Sequence, residues 1–388
     1  MKPDRLLLTV IKEQLTGERT EQTRALITEE MLPTLCELAK HHDLAHLFAA
    51  YLDSLGMLGD DEMSEKLRKI QMTQVFRHHR IVAEQKRVCA LLKSENIPFI
   101  PLKGAVIREM YPESWYRPSC DVDILVREED VQRAKSLIMQ RLDYTCADID
   151  NFHDVPMYSK GGVHLELHFN ILEHKSNIDA MLGRVWEFAS PVSEGDAMHA
   201  LTPEFLLFHN VAHSYYHFLS GGCGIKPFMD LFVLLSHPDF AYDEDKARQL
   251  MRECGIERFY DASLRLTEVW FKGAESDALT DSFGTFVLKG GVYGTQKNRV
   301  TVKRKEKGGK LSYILSRIFM PYESLKYRYP VLKKHKILTP FCQVARWFSV
   351  LSPKRRRSVK NELTNNASIT DNEIDQVKAL LDGLGIES

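Results

Sequence analysis

The chain has little of what would mark several common protein classes. Its seven cysteines, Cys36, Cys89, Cys120, Cys146, Cys223, Cys254 and Cys342, are odd in number and form no CxxC pair or zinc-ligand spacing. This excludes a disulfide scaffold and a cysteine metal site, and it matches a reducing cytoplasm. No apolar run approaches the roughly 18 residues needed to span a bilayer. The start, MKPDRLLLTVIKEQL, has charges on both sides of a very short apolar stretch, so neither export nor a transmembrane segment is expected. No internal repeat is visible, and Gly (21) and Pro (15) are ordinary in amount, which excludes fibrous and low-complexity classes. Net charge is nearly absent at −1.

A chain of 388 residues, 44% apolar and 27% charged, exceeds one ordinary core and points to two or three globular units. The near-zero net charge conceals a block. Between Thr301 and Lys360, 17 Lys or Arg face two acids, Glu306 and Glu323, leaving about +15 there and about −16 elsewhere; blocks of this kind decide association more than the whole-chain balance does.

Residues 1–94 carry apolar positions at three- and four-residue spacing and read as a helical region. At IPFIPLKG the pattern changes to a short buried strand ending in a glycine turn. AVIREMYPE then reads as a short helix, CDVDILV as a strand, and Glu128 to Leu142 as an amphipathic helix with acids in its first turn. After YTCADI, VPMYSK and VHLELHFNIL form a predicted hairpin. The order predicts an α+β fold with a small mixed sheet, flanked by helical N- and C-terminal regions. Four divisions are expected: 1–94 helical, 95–175 the sheet-bearing core, 176–275 helical, and 276–388 a basic, mixed helical extension. Within the latter parts, GAESDALTDSFGTFVLKGGVYGTQKN is expected to be a loop or hairpin.

The chemistry is concentrated in the core. Asp121 and Asp123 lie two apart on an apolar strand, so both carboxylates share one face about 7 Å apart along the backbone. Such acids repel by about 4 kcal/mol at 4 Å and an effective dielectric near 20 unless a proton or cation intervenes. Mg²⁺ suits them, being a hard ion that takes one or two carboxylates and fills its remaining positions with water and phosphate oxygens; Mn²⁺ is an alternative. The implied substrate is a nucleotide. Glu166, flanked by apolar residues in VHLELHF, reaches the same point if its strand lies beside CDVDILV, as third ligand and base; otherwise it is a surface residue of the hairpin. Lys103 and Gly104, at the strand-to-helix turn, supply charge and close backbone approach for a phosphate. Arg117, four residues before Asp121, is expected to reach the same phosphates.

The stretch LKGAVIREMYPESWYRPSCDVDILVREEDVQRAKSLIMQRLDY followed by VHLELHF resembles the bacterial "nucleotidyltransferase family protein" group of the DNA polymerase beta-like nucleotidyltransferase superfamily. The resemblance rests on Lys103 and Gly104, on Arg117 ahead of Asp121 and Asp123, and on Glu166 two residues before His168. It is strong over about 75 residues and weaker through the helices bearing His209, His213 and Asp230 and the VYG near Gly291. It implies a polymerase-beta-like core that moves a nucleoside monophosphate from an NTP to an acceptor hydroxyl. Asp121, Asp123 and Glu166 would be metal-binding and catalytic, and Lys103, Gly104, Arg117 and His168 nucleotide-binding. Two bridged ions would lie about 3.5 to 4 Å apart. The superfamily's turn is usually Gly-Ser, whereas here Ala105 follows Gly104.

Other readings stand beside this one. His168 could orient a ligand or pack against the sheet. His209, His213 and His217 share a helix face and could hold zinc, touch the nucleotide site or line a partly wet surface. Asp230 is expected to cap or pair with a neighbouring helix, with Lys226 at i−4 a candidate partner. The acceptor, whether small molecule, saccharide or protein, is not written in these residues. A degenerate nucleotide-binding regulatory module and a membrane-surface accessory protein of polysaccharide or peptide biosynthesis are the alternatives. In the second, residues 301–360 would touch an anionic surface, placing a cytoplasmic protein at the periphery of the inner membrane.

Overall fold

The structure is a computed structural model, and it describes residues 2–147, 153–173, 176–292, 331–348 and 370–386, together with a few positions between 294 and 329. Most of the basic stretch 301–360, the Tyr293 of the VYG motif and part of the expected break at 151–154 lie outside the described residues.

Five helices open the chain: α1 (Pro3–Thr16), α2 (Glu21–Leu26), α3 (Leu32–His41), α4 (Ala45–Ser54) and the 33-residue α5 (Glu62–Ser94). Asp61 caps α5, its side chain accepting from the backbone N–H of Met63 and Ser64, which satisfies donors the first turn cannot pair internally. Glu13 of α1 is a buried acid whose charge is accommodated locally. Thr23 and Tyr51 donate to it at 2.6 and 2.5 Å, and Thr20 adds a third hydroxyl, so one carboxylate ties α1, α2 and α4 together.

The sheet follows. Strands β1 (Phe99–Pro101), β2 (Asp121–Val126), β3 (Thr145–Cys146), β4 (Asp154–Tyr158) and β5 (His164–His168) stand in the order β1-β2-β5-β4-β3. Only β2 and β5 run parallel; the other pairs are antiparallel. The short helix α6 (Lys103–Ile107) leaves β1, and α7 (Val131–Leu142) links β2 to β3. The strand period of two separates the faces. Val122, Ile124, Val126, Leu165 and Leu167 pack with Ile81, Val88 and Leu92 of α5 and with Val131, Ala134 and Ile138 of α7. Leu125 points the other way and joins a second, larger core.

That second core is built by helices from both ends of the described chain. After α8 (Ser176–Leu182) and a small ribbon of β6 (Ala189–Pro191) and β7 (His199–Leu201) come α9 (Pro203–Leu219), α10 (Lys226–Ser236), α11 (Glu244–Glu253), α12 (Glu257–Thr267) and α13 (Ala278–Gly290). Leu6, Val10, Leu47 and Phe48 from the first helices are buried with Phe208, Phe218, Phe228, Phe259 and Phe283 from the later ones. The last described helices are α14 (Val331–Lys334), α15 (Thr339–Phe348) and α16 (Asp371–Gly383).

Within the loop or hairpin expected over 273–298, residues 278–290 form instead the helix α13. Asp277 accepts from the Thr280 N–H at 2.8 Å as its cap, and Phe283, Phe286 and Val287 bury one face at helical spacing. The misleading glycine, Gly284, serves packing: a Cβ there would stand 3.2 Å from the Leu266 Cδ1 of α12. Among the described residues no helix is long and apolar enough to cross a membrane.

Candidate functional site

The site begins with the register of the one parallel pair. Asp121 lies opposite His164, Asp123 opposite Glu166, and Leu125 opposite His168. Five polar side chains therefore stand on one face, away from the apolar layer beneath. Two overlapping groups have all their ligand atoms within 4.8 Å of one another, Asp121 with His164 and Glu166, and Asp123 with Glu166 and His168. The expected meeting of Asp121, Asp123 and Glu166 is what this geometry places together, and His164 joins them.

Charge is unevenly settled within the cluster. Burial resists ionisation of Asp121, and the like charges of Asp123 and Glu166 add to that, so its pKa is raised, with Lys226 opposing. Burial also works against Asp123, but the hydrogen bond and charge of His168, with help from Lys103, outweigh it and hold Asp123 far below the usual carboxylate range. The Nε2 of His168 lies 3.2 Å from Asp123 and 3.3 Å from Glu166. Burial disfavours its charge, yet these two carboxylates push its pKa up to about 9. An imidazolium thus balances part of the negative charge, and its ring stacks on His153 at 5.5 Å.

The opposite wall is cationic. Lys103 opens α6, half-buried; burial lowers its pKa, while Glu173, Asp123 and Asp121 draw it back up and Arg117 opposes them. Gly104 marks a close approach: a Cβ there would lie 3.5 Å from Arg117 Nη1, 3.6 Å from Asp123 Oδ2 and 3.8 Å from Arg108 Nη2. Arg117, expected to reach phosphates, is anchored at two of its nitrogens. It is 4% exposed and donates from Nε and Nη2 to the two Asp230 oxygens, both at 2.8 Å. Tyr111 donates to the same carboxylate at 2.7 Å. Asp230 therefore pairs with Arg117 across the fold rather than with Lys226 on its own helix, and Arg117 acts by fixing the loop ahead of β2 against α10.

The histidine face of α9 closes the cleft. His209 is buried, and burial, then the nearby Lys103 and His168 charges, keep it neutral. His213 Nδ1 lies 2.6 Å from Glu173 Oε1, and its Nε2 lies 2.9 Å from His217 Nε2. Burial pushes Glu173 up to about 7, with Lys103 opposing. Among the described residues these histidines belong to neither metal-capable group; they line the site around Lys103. Four contributors escaped sequence reasoning: His164, Arg108, Glu173 and Lys226. His164 had a signal, lying two residues before Glu166 on the same strand face. Lys226 was visible only as a partner for Asp230. Nothing in REM or NILEHKS marks Arg108 or Glu173.

The match to known proteins falls on this same architecture. A family model described as an uncharacterised nucleotidyltransferase matches residues 29–272, more than half of the chain. The chain belongs to that family. Its matched span begins in the N-terminal helices and ends beyond α12, so the family unit includes the helical wall as well as the acidic sheet. No curated protein matches the chain. Among solved structures it is similar to a CCA-adding enzyme in its apo form, with 10% identity over 80% of this chain and 91% of that one, at a TM-score of 0.22. A superposition that loose bears on neither fold nor site.

Proposed function

We propose that this nucleotidyltransferase moves a nucleoside monophosphate from an NTP to an acceptor hydroxyl on a sheet of the polymerase-beta type, using Asp121, Asp123 and Glu166. The observation that carries the reading is the parallel register of β2 and β5, which sets Asp123 beside Glu166 and gathers three carboxylates and two imidazoles on one face. The donor set fits a divalent cation. Carboxylate oxygens suit Mg²⁺, the His164 imidazole nitrogen makes Mn²⁺ at least as good, and the mutual repulsion that raises Asp121 is what a cation relieves. When bound, the metal supplies positive charge beside the attacking and leaving oxygens.

The chain's own groups supply the rest. Lys103 and the turn at Gly104, beside Arg117 Nη1 and Arg108 Nη2, hold phosphate oxygens, while Asp230 keeps Arg117 in place there. His168 fixes the Asp123 and Glu166 carboxylates by its hydrogen bonds. The acceptor oxygen forms its bond to the α-phosphorus as the bond to pyrophosphate breaks, and Glu166 takes the acceptor's proton. The test is pyrophosphate release from each of the four NTPs with Mg²⁺ or Mn²⁺ and a cell lysate as acceptor source, wild type beside the Asp121→Ala/Asp123→Ala variant. Release confined to the wild type supports the transfer and names its nucleotide; no release in any condition refutes it.

Two observations favour other uses. Ala105 stands where a phosphate-binding serine would be, and Arg117 is spent on Asp230; both suit a module that binds a nucleotide without turning it over. NTP binding by calorimetry without pyrophosphate release is its signature. Separately, Phe341, Val344 and Phe348 of α15, with Ile337 just before that helix, are exposed within the basic stretch 301–360, a pattern suited to an anionic membrane surface. Cosedimentation with anionic vesicles, with and without residues 301–360, tests a place at the inner membrane face.

A further inference from the structure

The helix wall holds more positive charge than its own acids answer. Lys103, Arg108, Arg117 and Lys226 act on one another and on Asp121 or Asp123. Arg117 is engaged by Asp230 through Nε and Nη2. Arg108 is 2% exposed; its Nε donates to the Gly104 carbonyl, and its Nη1 has no partner among the described residues. Lys103 and Lys226, both half-buried, form no ion pair among the described residues. Crowded, partly desolvated cations repel, and a multiply charged anion is the species that relieves them.

The position of Lys226 follows from the clamp. Lys226 begins α10, and Asp230 lies one turn later on the same helix face. Arg117 and Tyr111 grip Asp230 from the segment that leads into Asp121, so the turn that carries Lys226 is brought toward the acids. Its charge is felt there: it favours ionisation of Asp121, and it disfavours protonation of His213 and His217 across the cleft. Lys103 approaches from α6 and Lys226 from α10, with Asp121 in the field of both.

We propose that Lys226 is a ligand of the nucleotide's polyphosphate, binding the β and γ phosphates and the pyrophosphate that departs, in the role left open by Ala105. The inference rests on the NTP reading and adds a residue from outside the sheet. It explains why the helical layer is part of the catalytic unit: the acids reside on β2 and β5, and the phosphate cation is delivered by α10. A lysine ammonium is a compact point charge that suits a phosphate chain without demanding one geometry.

The experiment is calorimetry with inorganic tripolyphosphate and with ATP in the presence of Mn²⁺, on full-length wild type, Lys226→Gln and Lys226→Arg, with Mn²⁺ binding followed separately by electron paramagnetic resonance. Lys226→Gln should weaken tripolyphosphate and ATP on the order of 10- to 100-fold and change Mn²⁺ binding far less, and Lys226→Arg should recover most of the loss. Equal tripolyphosphate affinity in wild type and Lys226→Gln overturns the assignment while the NTP reading stands. If wild type binds neither tripolyphosphate nor any NTP, the NTP reading falls and takes the assignment with it. Should Lys226→Gln fail to fold, lysine acetylation of the wild type read by mass spectrometry decides the matter: Lys226 protected by tripolyphosphate supports the assignment, and Lys226 labelled equally with and without it refutes it.

Discussion

The two walls of the cleft differ in charge and in how they are built. On the sheet side, Asp121, Asp123 and Glu166 crowd three carboxylates against His164 and His168 within two adjacent strands. On the helix side, Lys103, Arg108, Arg117 and Lys226 come from α6, the segment after it and α10, held by one buried ion pair. The sheet wall concentrates charge by local periodicity, and its repulsion is answered by a protonated histidine. The helix wall concentrates charge by long-range packing, and among the described residues Lys103 and Lys226 form no ion pair. A site of this kind accepts a cation on one side and a polyanion on the other, which is the charge pattern of a metal–nucleotide complex.

The largest expected effect comes from breaking the join between the walls. Arg117→Ala leaves Asp230 buried at 2% exposure with its main partner gone, and should cost about 3 to 5 kcal/mol of stability. Arg117→Met combined with Asp230→Leu should regain much of that, because both buried charges are then removed. Denaturant unfolding of the three proteins measures it, and a double variant no more stable than the single one would show that the clamp is not an isolated pair.

On the acidic wall alone, Asp123→Asn should keep the fold but lower pyrophosphate release by about a thousandfold, roughly 4 kcal/mol in the barrier. Retained release would remove Asp123 from the chemistry.

The next effect is on pH and belongs to the helix wall. Glu173 is pushed up to about 7 in the fold against an ordinary 4.5. The folded state therefore holds a proton that the unfolded chain has released, and the favourable contribution present below about 4.5 is lost as pH rises toward 7. The change should be up to about 3 kcal/mol. Glu173→Gln keeps the protonated shape and should flatten that slope, as unfolding at pH 5 and pH 7.5 will tell; an unchanged slope assigns the dependence to another group.

The smallest expected change in stability sharpens the meaning of the turn. Gly104 has no positive φ, and an added Cβ meets its neighbours only at ordinary contact distances. Gly104→Ala should therefore melt within about 1 kcal/mol of wild type. Its methyl group would cover the ground between Arg117 and Asp123, so tripolyphosphate affinity should still fall. Equal affinity would mean that phosphate does not approach there.

How much of this could be read in advance differs by wall. Asp121, Asp123 and Glu166 announced themselves because an acid between apolar strand residues is costly without a partner, and a period of two fixes which face it shares. The hairpin and the mixed sheet followed from the same alternation. Asp230 was located but matched with Lys226, its neighbour at i−4, whereas the arginine that holds it lies 113 residues away. Helix α13 was missed because Gly284, Gly290 and Gly291 outweighed its apolar spacing, and the packing that requires Gly284 is supplied by α12.

The sequence by itself determined the elements, the face on which the acids stand and the family to which they point, because these depend on periodicities of two and 3.6 within a single segment. Tertiary structure alone decided which strand lies beside β2, which acid holds Arg117, and that a distant helix brings Lys226 within electrostatic range of Asp121. Those choices depend on burying charge against charge across more than a hundred residues, and no local pattern records them.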